Sequence, residues 1–199
     1  TIFRAGDGVH AAWLERRARS LGPLARLGQR LSGYHRYVLG AERAMFAHPA
    51  LKAVICNSRM VADEISRFYG VDRDRLVVIY NGVDTTAFHP GLADDFRAAT
   101  RATASIPGDV PLLLFVGSGF ARKGVPQLLH AAARMRRGDS RIAIVGADRE
   151  LAAMRRLAAR LGLGARVQFT GPLKDVRPWY GAADGFVLPT LYDPCPNAA

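Results

Sequence analysis

The sequence predicts an α/β fold built on parallel sheets. Three observations carry this. Short strands in the second half are apolar along their whole length, amphipathic helices separate them, and Gly, Pro and Asn-Gly turns punctuate the alternation. A strand with two apolar faces needs cover on both, and a helix between successive parallel strands supplies it.

The elements follow in order. Thr1-Ile2-Phe3 reads as the end of a strand, and Gly6-Asp7-Gly8 as a turn after it. A short helix is expected from Val9 to Arg19, broken by Gly22-Pro23. One longer helix is expected from Leu24 to Ala47. Its Leu24, Leu27, Leu31, Tyr34, Val38, Ala41 and Met45 alternate spacings of three and four and form one core-facing stripe. Ala53 to Cys56 reads as a buried strand. Ser58 is placed to cap a helix running to Tyr69, and Gly70 to end it. Leu76 to Tyr80 is a strand closed by the Asn81-Gly82 turn. From Thr85 to Pro111 the composition turns polar and alanine-rich between Pro-Gly breaks, as in a linker that carries a helix.

From Pro111 the rhythm is regular. Strands are expected at Leu112 to Val116, Ile142 to Val145, Val167 to Phe169 and Gly185 to Leu188. Helices are expected at Lys123 to Arg136, Arg149 to Leu161 and Asp175 to Ala183. This is a doubly wound domain, and ligands in such sheets bind at the carboxyl ends of the strands. The opening strand and the final Pro196-Asn197-Ala198-Ala199, which resembles a helix start, make the chain read as a fragment.

Composition bounds the function. The 199 residues carry a net charge of +11, and 49% are hydrophobic, which excludes a largely disordered chain. The longest apolar run, Val110 to Val116, is far short of the roughly 18 residues of a membrane-spanning helix. No signal-peptide pattern opens the chain. Two cysteines, Cys56 and Cys195, exclude a disulfide scaffold and fit a reducing compartment. Eight arginines against three acids give the first 43 residues a net +5. That suits nucleic acid or an anionic membrane, and equally a solvated surface. No nucleic-acid module motif is present, and no nucleic-acid partner is expected.

Two loops at the ligand edge hold candidate chemistry. Gly117-Ser118-Gly119-Phe120-Ala121-Arg122-Lys123-Gly124 lacks the third glycine of a dinucleotide fingerprint, since Arg122 stands there, and is not a Walker loop. It does join flexible backbone, two cations and a helix start, which suits a phosphate. Cations at a helix N-terminus oppose its dipole, so structure alone does not call for them. Pro189-Thr190-Leu191-Tyr192-Asp193-Pro194-Cys195-Pro196-Asn197 is a stiff loop whose Asp193 either accepts from hydroxyls or caps a turn. The Asp72-Arg73-Asp74 triplet falls at the wrong end of its strand for a metal site. The histidines lack zinc-ligand spacing, and no metal ligand set is assigned. No G-x-S-x-G nucleophile motif occurs.

Phe115-Val116-Gly117 with Arg122-Lys123-Gly124, then Phe169-Thr170-Gly171-Pro172, then Ala183-Asp184-Gly185-Phe186-Val187-Leu188-Pro189, resemble glycosyltransferase family 4. Tyr80-Asn81-Gly82-Val83-Asp84 fits that family's entry to its interdomain linker. Arg4 to His10 and Gly117 to Gly124 suggest the subgroup of lipopolysaccharide inner-core heptose glucosyltransferases. The resemblance implies a GT-B fold: two Rossmann-like doubly wound parallel-sheet domains, both incomplete here. It implies residues 1–84 as the acceptor-side domain, 85–110 as linker and 111–199 as the nucleotide-sugar domain. It implies a retaining, metal-independent transferase that moves a hexose, glucose, from a UDP-sugar to a lipopolysaccharide-core or related glycolipid acceptor, with no cofactor. The whole would lie in the cytoplasm, peripheral on the inner face of the bacterial inner membrane.

The family's roles map by position. Lys123 matches the lysine on the donor diphosphate, Ser118 stands where an arginine is common, and Arg122 restores that charge. Gly117 and Gly119 shape the loop. Leu173 and Lys174 fall in the uracil-binding loop. Asp193, with Asn197 in the same loop, matches the donor-sugar side, where Asp replaces the first Glu of an E-x7-E motif. The second acid would fall two positions past Ala199. Asp7 matches the acid facing the donor sugar, either steadying a cationic sugar or orienting the acceptor hydroxyl. Other readings are a GT-B enzyme with another acceptor, a nucleotide-sugar epimerase, or a basic binding protein without activity. As a fragment, the chain is expected to turn over poorly.

Overall fold

The computed structural model describes residues 1–136 and 138–199. It divides into two compact units. The first comprises residues 1–82 and 191–197, the second residues 83–190 and 198–199.

The first unit carries strands β1 (Ile2–Ala5), β2 (Ala53–Cys56) and β3 (Leu76–Val78), paired in parallel in that order. Phe3, Ala5, Val54, Cys56, Leu76 and Val78 turn toward one hydrophobic cluster, which includes Val61 and Ile65 of helix α4 (Arg59–Tyr69) and Ala12 of helix α1 (His10–Arg19). The alternate residues Ile2 and Val77 are exposed, so this sheet has one well-covered face among the described residues.

The expected single helix from Leu24 to Ala47 is two: α2 (Pro23–Leu31) and α3 (Gly33–Phe46). Ser32 is the break. Its backbone is extended and its hydroxyl accepts from the His35 N–H at the start of α3. The predicted core stripe lies outside the core except at Met45, which packs against the first unit's cluster. Leu24 is 85% exposed, Leu31 65% and Tyr34 68%, and α2 buries no residue at all. Phe46, at the end of α3, does reach the core. Periodicity identifies an apolar face but not what covers it.

The second unit is sandwiched on both sides. Its four parallel strands are β4 (Leu112–Val116), β5 (Arg141–Val145), β6 (Val167–Gly171) and β7 (Gly185–Phe186), ordered β6-β5-β4-β7. Phe115, Ile142 and Ile144 pack with Leu128 and Leu129 of α6 (Val125–Ala133) and Met154 of α7 (Leu151–Arg160). Leu112, Leu114, Ala143 and Val145 pack on the opposite face with Trp179 and Ala182 of α8 (Arg177–Ala182). Apolar runs become central strands because both faces are buried. The helix expected within Thr85 to Pro111 is α5 (Leu92–Thr103), which packs on α8. Arg101 of α5 is buried and binds Asp184 at 2.7 Å, and Arg97 binds the same carboxylate at 2.6 Å.

Candidate functional site

In the second unit, the loop after β4 is fastened at several points. The Gly117 N–H donates to the Val145 carbonyl at 2.9 Å. Phe120 is fully buried against Phe115, edge to face, and pins the middle of the loop to the core. Helix α6 starts at Val125, two residues later than predicted. Gly124 precedes it with φ +80°, and an added Cβ would overlap the Pro189 carbonyl oxygen. Only glycine suits both demands. The Arg122 carbonyl accepts from the Thr190 hydroxyl at 3.2 Å, joining this loop to the segment after β7.

The two cations lie over the loop's own glycines. A Cβ on Gly117 would stand 3.0 Å from the Lys123 Nζ, and one on Gly119 3.8 Å from the Arg122 Nε. Ser118, between them, is exposed. The loop's amides were expected to face an anion, but Gly119 and Phe120 donate instead to the Asp148 carboxylate, at 2.7 and 3.0 Å. Asp148 also accepts from the Glu150 N–H at 2.7 Å. Partial burial pushes the Asp148 carboxyl up, but these three amides outweigh it and hold it below its ordinary range. The electropositive character of the loop therefore comes from Arg122 and Lys123. Leu173 and Lys174 are exposed in the loop between β6 and α8.

Asp7, Asp193 and Asn197 fall in the first unit. Asp7 is exposed in the turn after β1. The turn is held on one side by Asn57, just after β2, which donates from Nδ2 to the Gly6 carbonyl at 2.6 Å. On the other side the Val9 N–H donates to the Tyr192 hydroxyl at 2.8 Å, and that hydroxyl donates to Glu64 at 2.5 Å. Arg16 pairs with Glu64 at 2.8 Å and lies over the Tyr192 ring. Burial, reinforced by the bond to Glu64, pushes the Tyr192 phenol well above its ordinary range, so it stays a neutral donor. Asn197 accepts from the Asn81 side chain at 2.6 Å, and Asn81 accepts from Arg4 at 3.0 Å.

A second cluster borders the same turn. The His10 N–H, at the start of α1, donates to Glu42 of α3, which also accepts from the Tyr69 hydroxyl. The His10 ring meets His35 at 3.1 Å and stacks on Trp13. Burial lowers the His10 pKa, Glu42 opposing and His35 adding to the shift.

Sequence reasoning missed Asp148, Tyr192, Glu64 and Asn57. Asp148 and Asn57 follow strands at their carboxyl ends, which is a usable signal. Glu64 looks like any exposed helical acid until the fold buries it.

The comparisons with known proteins bear on this arrangement. Residues 7–87 match the family described as Glycosyltransferase Family 4, and residues 110–199 match Glycosyl transferases group 1. The chain belongs to the family 4 glycosyltransferases. D-inositol 3-phosphate glycosyltransferase 2 of Catenulispora acidiphila is 37% identical over 154 residues, 71% of this chain and 35% of that protein. The D-inositol 3-phosphate glycosyltransferase of Streptomyces bingchenggensis is 32% identical over 166 residues, 77% of this chain and 35% of that protein. The crystal structure of WaaG, a glycosyltransferase involved in lipopolysaccharide biosynthesis, superposes with a TM-score of 0.75 at 26% identity. That match covers 95% of this chain and 50% of WaaG. This glycosyltransferase chain has the GT-B type of α/β fold, and it spans about a third of the length of the curated relatives it matches.

Proposed function

We propose that the chain belongs to an enzyme that transfers a hexose, glucose, from a UDP-sugar to a saccharide acceptor, with retention. The observation that carries this is the loop Gly117–Gly124, where Lys123 and Arg122 fold over glycines at the carboxyl end of β4. As the glycosidic bond breaks, negative charge grows on the departing diphosphate and positive charge on the anomeric carbon. Two fixed cations stabilise the first, and in this reading no metal ion or other cofactor is called on. Leu173 and Lys174 would take the uracil, and Asp193 and Asn197 the donor sugar. Asp7 would steady the cationic sugar or orient the attacking hydroxyl.

The acceptor in this reading is a lipid-linked saccharide, with the lipopolysaccharide core as first choice from the likeness to WaaG. A polyol phosphate is the second reading, favoured by the relatives named for D-inositol 3-phosphate. The exposed Leu24, Leu27 and Leu31 stand on α2 beside Arg26 and Arg30, within a strongly basic stretch. Such a face suits the anionic inner surface of the bacterial inner membrane.

The test is a UDP titration by calorimetry, with Lys123→Ala alongside, on this chain and on the full-length protein. Saturable binding that the variant weakens about tenfold supports the reading. UDP-glucose turnover with a heptose-bearing core oligosaccharide and with D-inositol 3-phosphate then separates the acceptors. Sugar release with neither acceptor indicates an epimerase. No UDP binding by the full-length protein overturns the proposal.

A further inference from the structure

The segment Leu191–Asn197 follows the second unit in sequence but belongs to the first. Tyr192 holds it there. The residue is 5% exposed and belongs to the core cluster that includes Val9, Val61 and Ile65. Its hydroxyl bonds in both senses: it accepts from the Val9 N–H at 2.8 Å and donates to Glu64 at 2.5 Å. Glu64 is itself only 6% exposed, and Arg16 balances its charge at 2.8 Å.

Steric detail makes the contact specific. Gly8 has φ +81°, and an added Cβ would overlap the Tyr192 hydroxyl and come 2.6 Å from the Pro194 Cγ. The Gly6-Asp7-Gly8 turn and the Tyr192-Asp193-Pro194 segment are therefore molded to one another. The residues next to this contact are the two acids given roles above. Asp7 is two residues before Val9, and Asp193 directly follows Tyr192. A buried phenol could satisfy its hydrogen bonding in many places. Here it bonds the backbone of one candidate loop from within the other.

We propose that Tyr192 is a positioning residue for sugar transfer: with Glu64 as its acceptor, it sets Asp193 against the Asp7 turn. This rests on the transferase reading. Tyr192 touches neither donor nor acceptor in this scheme. It acts through Asp7 and Asp193, so its loss should lower turnover more than nucleotide affinity, which the Lys123 loop supplies.

The experiment uses the full-length protein, with UDP-glucose as donor, whichever of the core oligosaccharide and D-inositol 3-phosphate supports turnover as acceptor, and UDP release as readout. Tyr192→Phe keeps the ring and removes the hydroxyl. It should lower kcat by about tenfold or more, while UDP affinity and the KM for UDP-glucose stay within about twofold. Glu64→Gln keeps an acceptor for the hydroxyl and should retain turnover within about threefold, whereas Glu64→Ala should match Tyr192→Phe. If Tyr192→Phe fails to fold, the Glu64 pair decides alone: equal turnover in the Gln and Ala variants overturns the proposal. So does wild-type kcat in a folded Tyr192→Phe, or equal losses of kcat and UDP affinity. Wild-type protein that binds UDP and turns over UDP-glucose leaves the transferase reading standing whatever the variants do. Wild-type protein that does neither overturns both.

Discussion

Two polar networks, one in each unit and each built round a buried side chain, use similar groups at opposite ends of their sheets. In the second unit, Arg101 donates to the carbonyls of Ala182, Pro107 and Val110 and pairs with Asp184. Asp184 accepts from the Leu112 N–H at 2.7 Å, so the network lies where β4 and β7 begin. In the first unit, Tyr192, Glu64 and Arg16 gather just past the carboxyl end of β1. Ligands of open α/β sheets bind at carboxyl ends. A network at the amino end can therefore be optimised for stability alone. One at the carboxyl end also shapes the turns that would hold substrate. The same chemistry teaches different lessons because the sheet has a direction.

The comparison breaks first at Arg101. Arg101→Leu leaves Asp184 with Arg97 as its cation and takes the donor from several carbonyls, and should cost about 3 kcal/mol, read by denaturant unfolding. UDP affinity of the folded protein should not change. Asp184 offers a pH test of the same network. Burial pushes its carboxyl up, but the Leu112 amide, Arg97 and Arg101 outweigh that and hold it low. A folded-state pKa below the unfolded one adds stability above about pH 4, and that stability is lost as pH falls through the folded value. Thermal midpoints should drop on acidification from about pH 4, and Asp184→Asn should flatten that slope.

Gly8→Ala comes next, at about 2 kcal/mol, because it adds both a left-handed strain and an overlap with Tyr192. It sharpens the comparison if turnover falls as in Tyr192→Phe while UDP still binds. Asp148→Asn trades a carboxylate for a group that offers fewer acceptors to the Gly119, Phe120 and Glu150 amides. It should cost about 1–2 kcal/mol and weaken UDP binding through the loosened loop, measured by melting and calorimetry. The smallest effect on stability belongs to Leu27→Ser on α2, within about 0.5 kcal/mol because nothing is buried there. Its readout is cosedimentation with vesicles rich in phosphatidylglycerol, which should fall if that face docks on a membrane.

The strands of the second unit were legible because a run such as Leu112–Val116 has one stable home, between two layers of helices. The loop after β4 was legible as a cationic, glycine-rich turn. That its amides serve Asp148 was not, since residues 119 and 148 meet only when β4 and β5 pair. Helix α2 shows the opposite failure. Its heptad-like leucines matched a core stripe, but Ser32 interrupts the helix and the face stays exposed.

Local chemistry, written in neighbouring residues, determined the element order, the parallel sheets, the caps at Ser58 and Gly70, and the cations at 122 and 123. Those features depend on spacing along the chain, and spacing survives without coordinates. Tertiary structure alone decided which acid is buried, which apolar face is left open, and that a phenol at 192 bonds an amide at 9. Such pairings depend on the three-dimensional path between distant residues. No period or propensity along the sequence encodes that path, and burial then changes what each polar group is worth.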